Sequence, residues 1–382
     1  MSWSRVRGWR GFAGAALSTL LIVPLLAQDK KSDQKPPDAA AQGQAQEVQG
    51  LVRLADAAMT GQQVPSDFPI QFQNDFLKAQ QGRVWVPIIL TVDPAKLTTS
   101  AVTLYIRVAP RGMTAPPAPA AQEPEQKPDQ KKNDKDNKKD KDNKKNDAGK
   151  EAAPAAPASP YPFEDVSFLE LKPSAPGQPA HIMRGVGVPS GQYDFYIVLR
   201  ERAAAGATPK AAVLKQPVDV PNYSNGELST SSVIMAEKID QLPTPVPPDQ
   251  QSEHPYAFGQ QEIVVSPDHK FKKGQELIVL VQIYNPTISQ DKKFNLEATY
   301  TFYTQGADGE KKFNSTEPQT FTPESMGAAF DPSGPERSIQ AGQGIPLQSF
   351  PEGTYRLEIK ITDKLASPPK ALTQNVNFTV TP

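Results

Sequence analysis

There is no cysteine among the 382 residues, so no disulfide and no thiolate-held metal can staple this chain, and its fold must be held by core burial alone. Histidine is almost as scarce, with only His181, His254 and His269. Acid–base and nucleophilic catalysis need convergent groups with usable pKa values, most often including histidine. None of the three has a second histidine or a carboxylate at metal-ligand spacing. Gly-x-Ser-x-Gly, a phosphate-cradling glycine loop and His-Glu-x-x-His are all missing. No catalytic, cofactor-binding or metal residue is therefore expected. A surplus of one charge sign is lacking too. Lys and Arg number 41 against 42 Asp and Glu, a net charge of −1, which argues against a general nucleic-acid binder.

Long apolar runs are confined to the beginning. Arg5, Arg7 and Arg10 precede the stretch Phe12 to Leu26, and Ala27 ends it before polar Gln28 and Asp29. A basic start, a short apolar centre and a small residue at the cut describe a secretory signal peptide over residues 1–27. The apolar stretch is shorter than the roughly 20 residues that span a bilayer, although a retained anchor remains the competing reading. The chain is thus expected to be exported, to a periplasm or the extracellular space, with no membrane span after cleavage.

Proline, in contrast, is abundant, with 40 residues. Two segments read as unfolded for want of apolar periodicity: a linker over 28–47 and an insert over 110–160. From Lys127 to Lys150 the insert carries ten Lys against six Asp, a mixed-charge polyampholyte with a local excess of four positive charges. Its two readings are a solvated loop and a weak electrostatic contact with anionic envelope polymer, which the interleaved Asp opposes.

The most informative feature is a repeat. "VPSGQYDFYIVLRER" (Val188 to Arg202) and "FPEGTYRLEIKITDK" (Phe350 to Lys364) share Pro, one residue, Gly, one residue, Tyr, then period-2 alternation. Such alternation marks a half-buried antiparallel strand. It places Tyr193, Phe195, Ile197 and Leu199 on one face in the first copy, and Tyr355, Leu357, Ile359 and Ile361 in the second. Gly191 and Gly353 supply the preceding turn, and each Tyr hydroxyl is expected to bond back to turn backbone, as in the tyrosine corner of immunoglobulin-like sandwiches. Each copy is followed by a partner strand, so the unit reads as the closing hairpin of a sandwich, used once per domain. Reading backwards from the first copy gives seven strands between Asp67 and Pro221, and from the second about eight between Leu228 and Thr381. The fold class is all-β. The expected organisation is a short helix over 48–63, a first immunoglobulin-like β-sandwich domain over 64–221 interrupted by the disordered insert, and a second over 222–382.

The segments "ELSTSSVIMAEKI", "YAFGQQEIVVSPDHKFKKGQELIVLVQIYNP", "FNLEATYTFY" and "SFPEGTYRLEIKITDK" resemble β-sandwich regions of exported bacterial proteins that carry GWxTD or VWFA-related domains. The resemblance covers mainly Asn225 to Pro382. The chain has no Gly-Trp-x-Thr-Asp segment and no Asp-x-Ser-x-Ser metal motif, so the resemblance implies an exported β-sandwich and no transferred activity.

Three aromatics stand out as candidate partner-binding residues. On the strand "GRVWVPIILTVD", Val84, Val86, Ile88, Leu90 and Val92 form one face, leaving Trp85 and Ile89 on the other. Outward Trp85 is either an interface anchor or packed under the helix or against the second domain. Tyr256 and Phe258, large residues in a proline-rich loop, call either for packing across the domain junction or for a partner. The function this favours is a non-catalytic envelope protein that binds or spaces other exported proteins. The alternative is an enzyme, or an enzyme accessory, acting on cell-wall or extracellular polysaccharide.

Overall fold

The computed structural model describes residues 39–114, 159–173, 175–202, 206–307, 309–327 and 338–382. The expected signal peptide, the linker up to residue 38 and most of the insert lie outside the described residues. Over the rest, the alternating pattern is realised as four sheets in two face-to-face pairs, an all-β architecture with one core per pair.

In the first half the strands are β1 (Gln71–Asn74), β2 (Leu77–Lys78), β3 (Arg83–Val92), β4 (Ala101–Pro110), β5 (Phe163–Glu170), β6 (Ala180–Pro189), β7 (Gly191–Glu201) and β8 (Ala211–Val220). One sheet has the order β1-β3-β6, with β2 also along β3; the other is β5-β4-β7-β8. Val84, Val86, Ile88, Leu90 and Val92 of β3 all point into the core, as their alternation requires. They meet Val102, Leu104, Ile106 and Val108 of β4 and the Tyr193, Phe195, Ile197 and Leu199 face of β7. The insert enters after β4 and leaves into β5, and Val108 is paired with Phe163 across that gap, so both its ends sit at one antiparallel hairpin.

The second half comprises β9 (Ser229–Thr230), β10 (Ile234–Gln241), β11 (Ala257–Phe258), β12 (Gln261–Val265), β13 (Lys270–Lys272), β14 (Glu276–Tyr284), β15 (Leu296–Gly306), β16 (Gly309–Ser315), β17 (Gln319–Phe321), β18 (Ile339–Pro346), β19 (Gly353–Asp363) and β20 (Lys370–Thr381). Its sheets are β11-β12-β10-β14-β18, with β9 on β14, and β13-β20-β19-β15-β16, with β17 on β15. The repeat seen in fifteen residues extends to the topology. The pairs β3·β6 and β14·β18 correspond, as do the orders β5-β4-β7-β8 and β16-β15-β19-β20. Twelve strands are described in this half where the alternation predicts about eight, because β9, β11, β13 and β17 are only two or three residues long.

Two expectations need correction. The helix α1 spans Ala39–Met59, so it starts inside the stretch read as linker and ends before residue 63. Its Leu51, Ala55 and Met59 form one stripe at four-residue spacing. That stripe covers Tyr105, Ala109, Tyr196 and Val198, so β7 is buried on both faces rather than one. A polar knot fixes the helix there. Arg107, 2% exposed, donates to Asp56 of α1 at 2.5 Å and to Glu164 of β5 at 3.0 Å, with its guanidinium 4.2 Å from the Tyr161 ring centroid. Burial pushes the Glu164 carboxyl up, but hydrogen bonds from Ser159 and Tyr105 and the Arg107 charge outweigh it and hold the group below its usual range.

The two tyrosine corners, expected to match, differ from each other. Both residues are buried, and Gly191 and Gly353 open their strands at φ of +154° and +146°. Tyr355 donates to the Pro351 carbonyl at 2.7 Å, as expected of a corner. Among the described residues the Tyr193 hydroxyl meets no carbonyl. The cause is the connection. A 3-10 turn, Leu347–Ser349, separates β18 from β19 and frees Pro351 to face the ring. In the first half β6 runs almost directly into β7, and Pro189, at the matching position, is still paired with Arg83. Tyr355→Phe should therefore cost about 1 kcal/mol in urea unfolding, the net worth of one hydrogen bond. Tyr193→Phe should leave the midpoint unchanged.

Candidate functional site at the junction of the two halves

The outer face of the β1-β3-β6 sheet is not left to solvent. Leu77, Trp85, Ile89 and Met183 project from it onto Ile234, Ile263, Val265 and Leu280 of the β12-β10-β14 sheet, with Tyr256 and Phe258 closing one side. The two sandwiches are thus stacked face to face. Tyr284, at the end of β14, crosses over completely: it is fully buried in the first core, its ring 4.7 Å from that of Tyr223. Its hydroxyl accepts from the Lys78 amide at 2.9 Å. Phe76 and Ser232 add a reciprocal pair, in which the Phe76 amide donates to the Ser232 hydroxyl and the Ser232 amide donates to the Phe76 carbonyl.

All three aromatics singled out from sequence meet here. The Trp85 indole Nε1 donates to the Pro255 carbonyl at 2.8 Å. Tyr256, 2% exposed, donates to Asp75 Oδ2 at 2.6 Å. Phe258 is half-buried beside them. The proline-rich loop that carries Pro255 and Tyr256 is a strap laid along the edge of β6. The Gly185 amide donates to the Ser252 carbonyl at 2.7 Å, and the Ser252 hydroxyl returns a bond to the Gly185 carbonyl at 2.9 Å. The strap holds its own shape, since Gln251 Nε2 donates to the His254 and Ala257 carbonyls at 3.0 Å each.

Glycine at 185 is a steric requirement. A Cβ there would lie 1.9 Å from Trp85 Cζ2, so the indole rests directly on β6 backbone. "RGVGV" carried that signal, because an isolated glycine inside a strand pattern marks close approach. Asp75, Ser232 and Ser252 left no comparable mark.

Beside the Tyr256–Asp75 bond the junction opens into a cleft of 310 Å³, lined by Gln73, Ile89, Met235, Ser266 and His269 among others. Burial pushes the Asp75 carboxyl up, against the lowering effects of the Tyr256 hydroxyl and the His269 charge. The Tyr256 hydroxyl is itself pushed well above its usual value, by burial and then by the Asp75 charge. The histidines do not converge. His181 bonds to Thr91 Oγ1 at 2.9 Å, His254 to Glu262 at 2.7 Å and His269 to the Asn377 carbonyl at 3.1 Å. Among the described residues no three His, Asp or Glu side chains are grouped to hold a metal, and no helix is long and apolar enough to cross a membrane. The polymer-contact reading of the insert falls outside the described residues. No family model matches the sequence, and none of the curated proteins matches it either.

Gly185→Ala should displace the indole, break its bond to Pro255 and destabilise the protein by about 1–3 kcal/mol, the usual cost of overpacking. In a Trp85→Leu background the same substitution should cost much less, and urea melts of the four variants measure that coupling.

Proposed function

We propose that the chain is an exported, non-catalytic envelope protein. In this reading two immunoglobulin-like domains, over 64–221 and 222–382, form one rigid unit that binds or spaces other exported proteins. The observation that carries it is the stacked junction. Trp85, Tyr256 and Phe258 are engaged between the halves, so these three aromatics serve to fix one sandwich on the other. Strand order supports the immunoglobulin-like assignment. The first, second and fifth principal strands of the first half form one sheet, and the remaining four form the other, as in Greek-key sandwiches. A spacer needs fixed geometry, and a sheet-on-sheet contact with a covered strand edge supplies it. The basic, apolar, small-residue start of the chain supports export.

The test is to express the full chain in an exporting bacterium, fractionate it, and cross-link the envelope fraction. The expected result is an envelope protein beginning at Gln28 and cross-linked reproducibly to specific exported proteins. Cytoplasmic retention, or glycan-array binding with no protein partner, would overturn it in favour of other readings.

A further inference from the structure

Every sheet has two edges, and exposed edges invite pairing unless something blunts them. Most of the edges here are blunted. The first half has acidic Glu164, Asp165 and Glu170 on β5, and Lys215, Pro217 and Asp219 on β8. The β6 edge lies under the strap. In the second half β16 carries Glu310, Lys311 and Lys312, while β18 is weakened by Gly342 and Gly344 and ends in Pro346.

The edge of β20 differs. It pairs with β19 from Lys370 to Val380, but on its other side parallel β13 covers only Thr379–Thr381. Among the described residues no strand lies against Lys370 to Phe378 on that side. That stretch, "KALTQNVNF", contains no proline or glycine, and its only charge, Lys370, is paired with Glu227 at 3.3 Å. The Thr379 amide donates outward to the His269 carbonyl, and the Thr381 carbonyl accepts outward from Lys273. By strand alternation the amides and carbonyls of Thr373 and Asn375 face the same open side. Leu372 and Val376 are core-facing yet only partly buried, and no described strand continues the sheet beyond them. A groove of 370 Å³ runs alongside, lined in part by Tyr223, Leu228, Thr230, Leu372 and Gln374.

We propose that this edge is a self-association surface, pairing antiparallel with the same segment of a second copy to make one continuous sheet across a twofold axis. Charge selects the occupant. An uncharged strand meets no like-charge repulsion when it pairs with itself, and it offers nothing to attract a charged partner strand. The pattern is also self-complementary. With the axis at Gln374, Leu372 lies opposite the partner's Val376, and Thr373 opposite the partner's Asn375. Apolar then meets apolar over the joined cores, and the outward-facing amides of 373 and 375 exchange hydrogen bonds.

Sedimentation velocity of the full chain over a concentration series tests this. A dimer is expected. Asn375→Pro should abolish it, because it removes an outward amide and leaves the β19 ladder intact. Thr373→Lys should weaken it, and Thr373→Lys with Asn375→Asp should restore it, since each Lys then faces the partner's Asp. The rescue separates a lost interface from a lost fold. A monomer at all concentrations would overturn the proposal, as would a dimer indifferent to these substitutions. A monomer that nevertheless takes up a synthetic Ala371–Thr379 peptide would show an edge open to added strands but not used between copies, which also overturns self-association.

Discussion

The indole of Trp85 lying on the backbone of Gly185 is the contact on which the arrangement of the two halves depends. It occupies the space that a side chain at position 185 would fill, and its only hydrogen-bond donor reaches the carbonyl of Pro255 in the opposite half. That bond orients the strap, the strap covers the edge of β6, and Tyr256 at the end of the strap reaches Asp75. Two apolar sheet faces are thereby removed from water at roughly 25 cal/mol for each Å² of apolar area buried. Polar groups that meet across the junction are paired, Asp75 with Tyr256 and Phe76 with Ser232, which offsets part of their desolvation; Arg184 Nη2 and the Ser229 hydroxyl nearby are buried without a hydrogen-bond partner.

Order runs outward from that seam in layers. The junction sheets bury both faces, one against its own sandwich partner and one against the neighbouring half. Beyond them lie the β5-β4-β7-β8 sheet, roofed by α1, and the β13-β20-β19-β15-β16 sheet, whose outer side faces solvent. Arg107 shows why the roof stays on: a guanidinium this deeply buried is tolerated only with Asp56, Glu164 and the faces of Tyr105 and Tyr161 around it. On the solvent side Arg356 sits over the Tyr303 ring at 4.2 Å and is paired with Glu310 and Glu358. The aromatic on that face is covered by a cation and is not an open platform for sugar stacking.

Much of this architecture was legible in the residues. Period-2 alternation located β3, β4, β6, β7 and β8 to within a few positions, and the Pro-x-Gly-x-Tyr repeat foretold the shared topology. Legibility failed where the determinant is non-local. Tyr196 and Val198 alternate with the core face of β7, and nothing in that strand announces that a helix will cover them. The helix itself extends into a polar stretch, Ala39 to Gln46, that has no apolar stripe. The matching tyrosines diverge because one β-connection is short and the other includes a 3-10 turn. At the junction, Trp85, Tyr256 and Phe258 could be chosen as residues in need of an explanation, but Asp75 and Ser232 become visible only once two distant segments meet.

Rigidity of the seam is most directly measured by amide ¹⁵N relaxation on the deuterated full chain, comparing residues of β4 with residues of β19. Two sandwiches joined as described tumble together, so the two strands should report the same rotational correlation time, that of the whole molecule. Distinct and shorter correlation times for the two strands would mean that the halves reorient independently, contradicting a junction fixed by Trp85, Gly185 and Pro255.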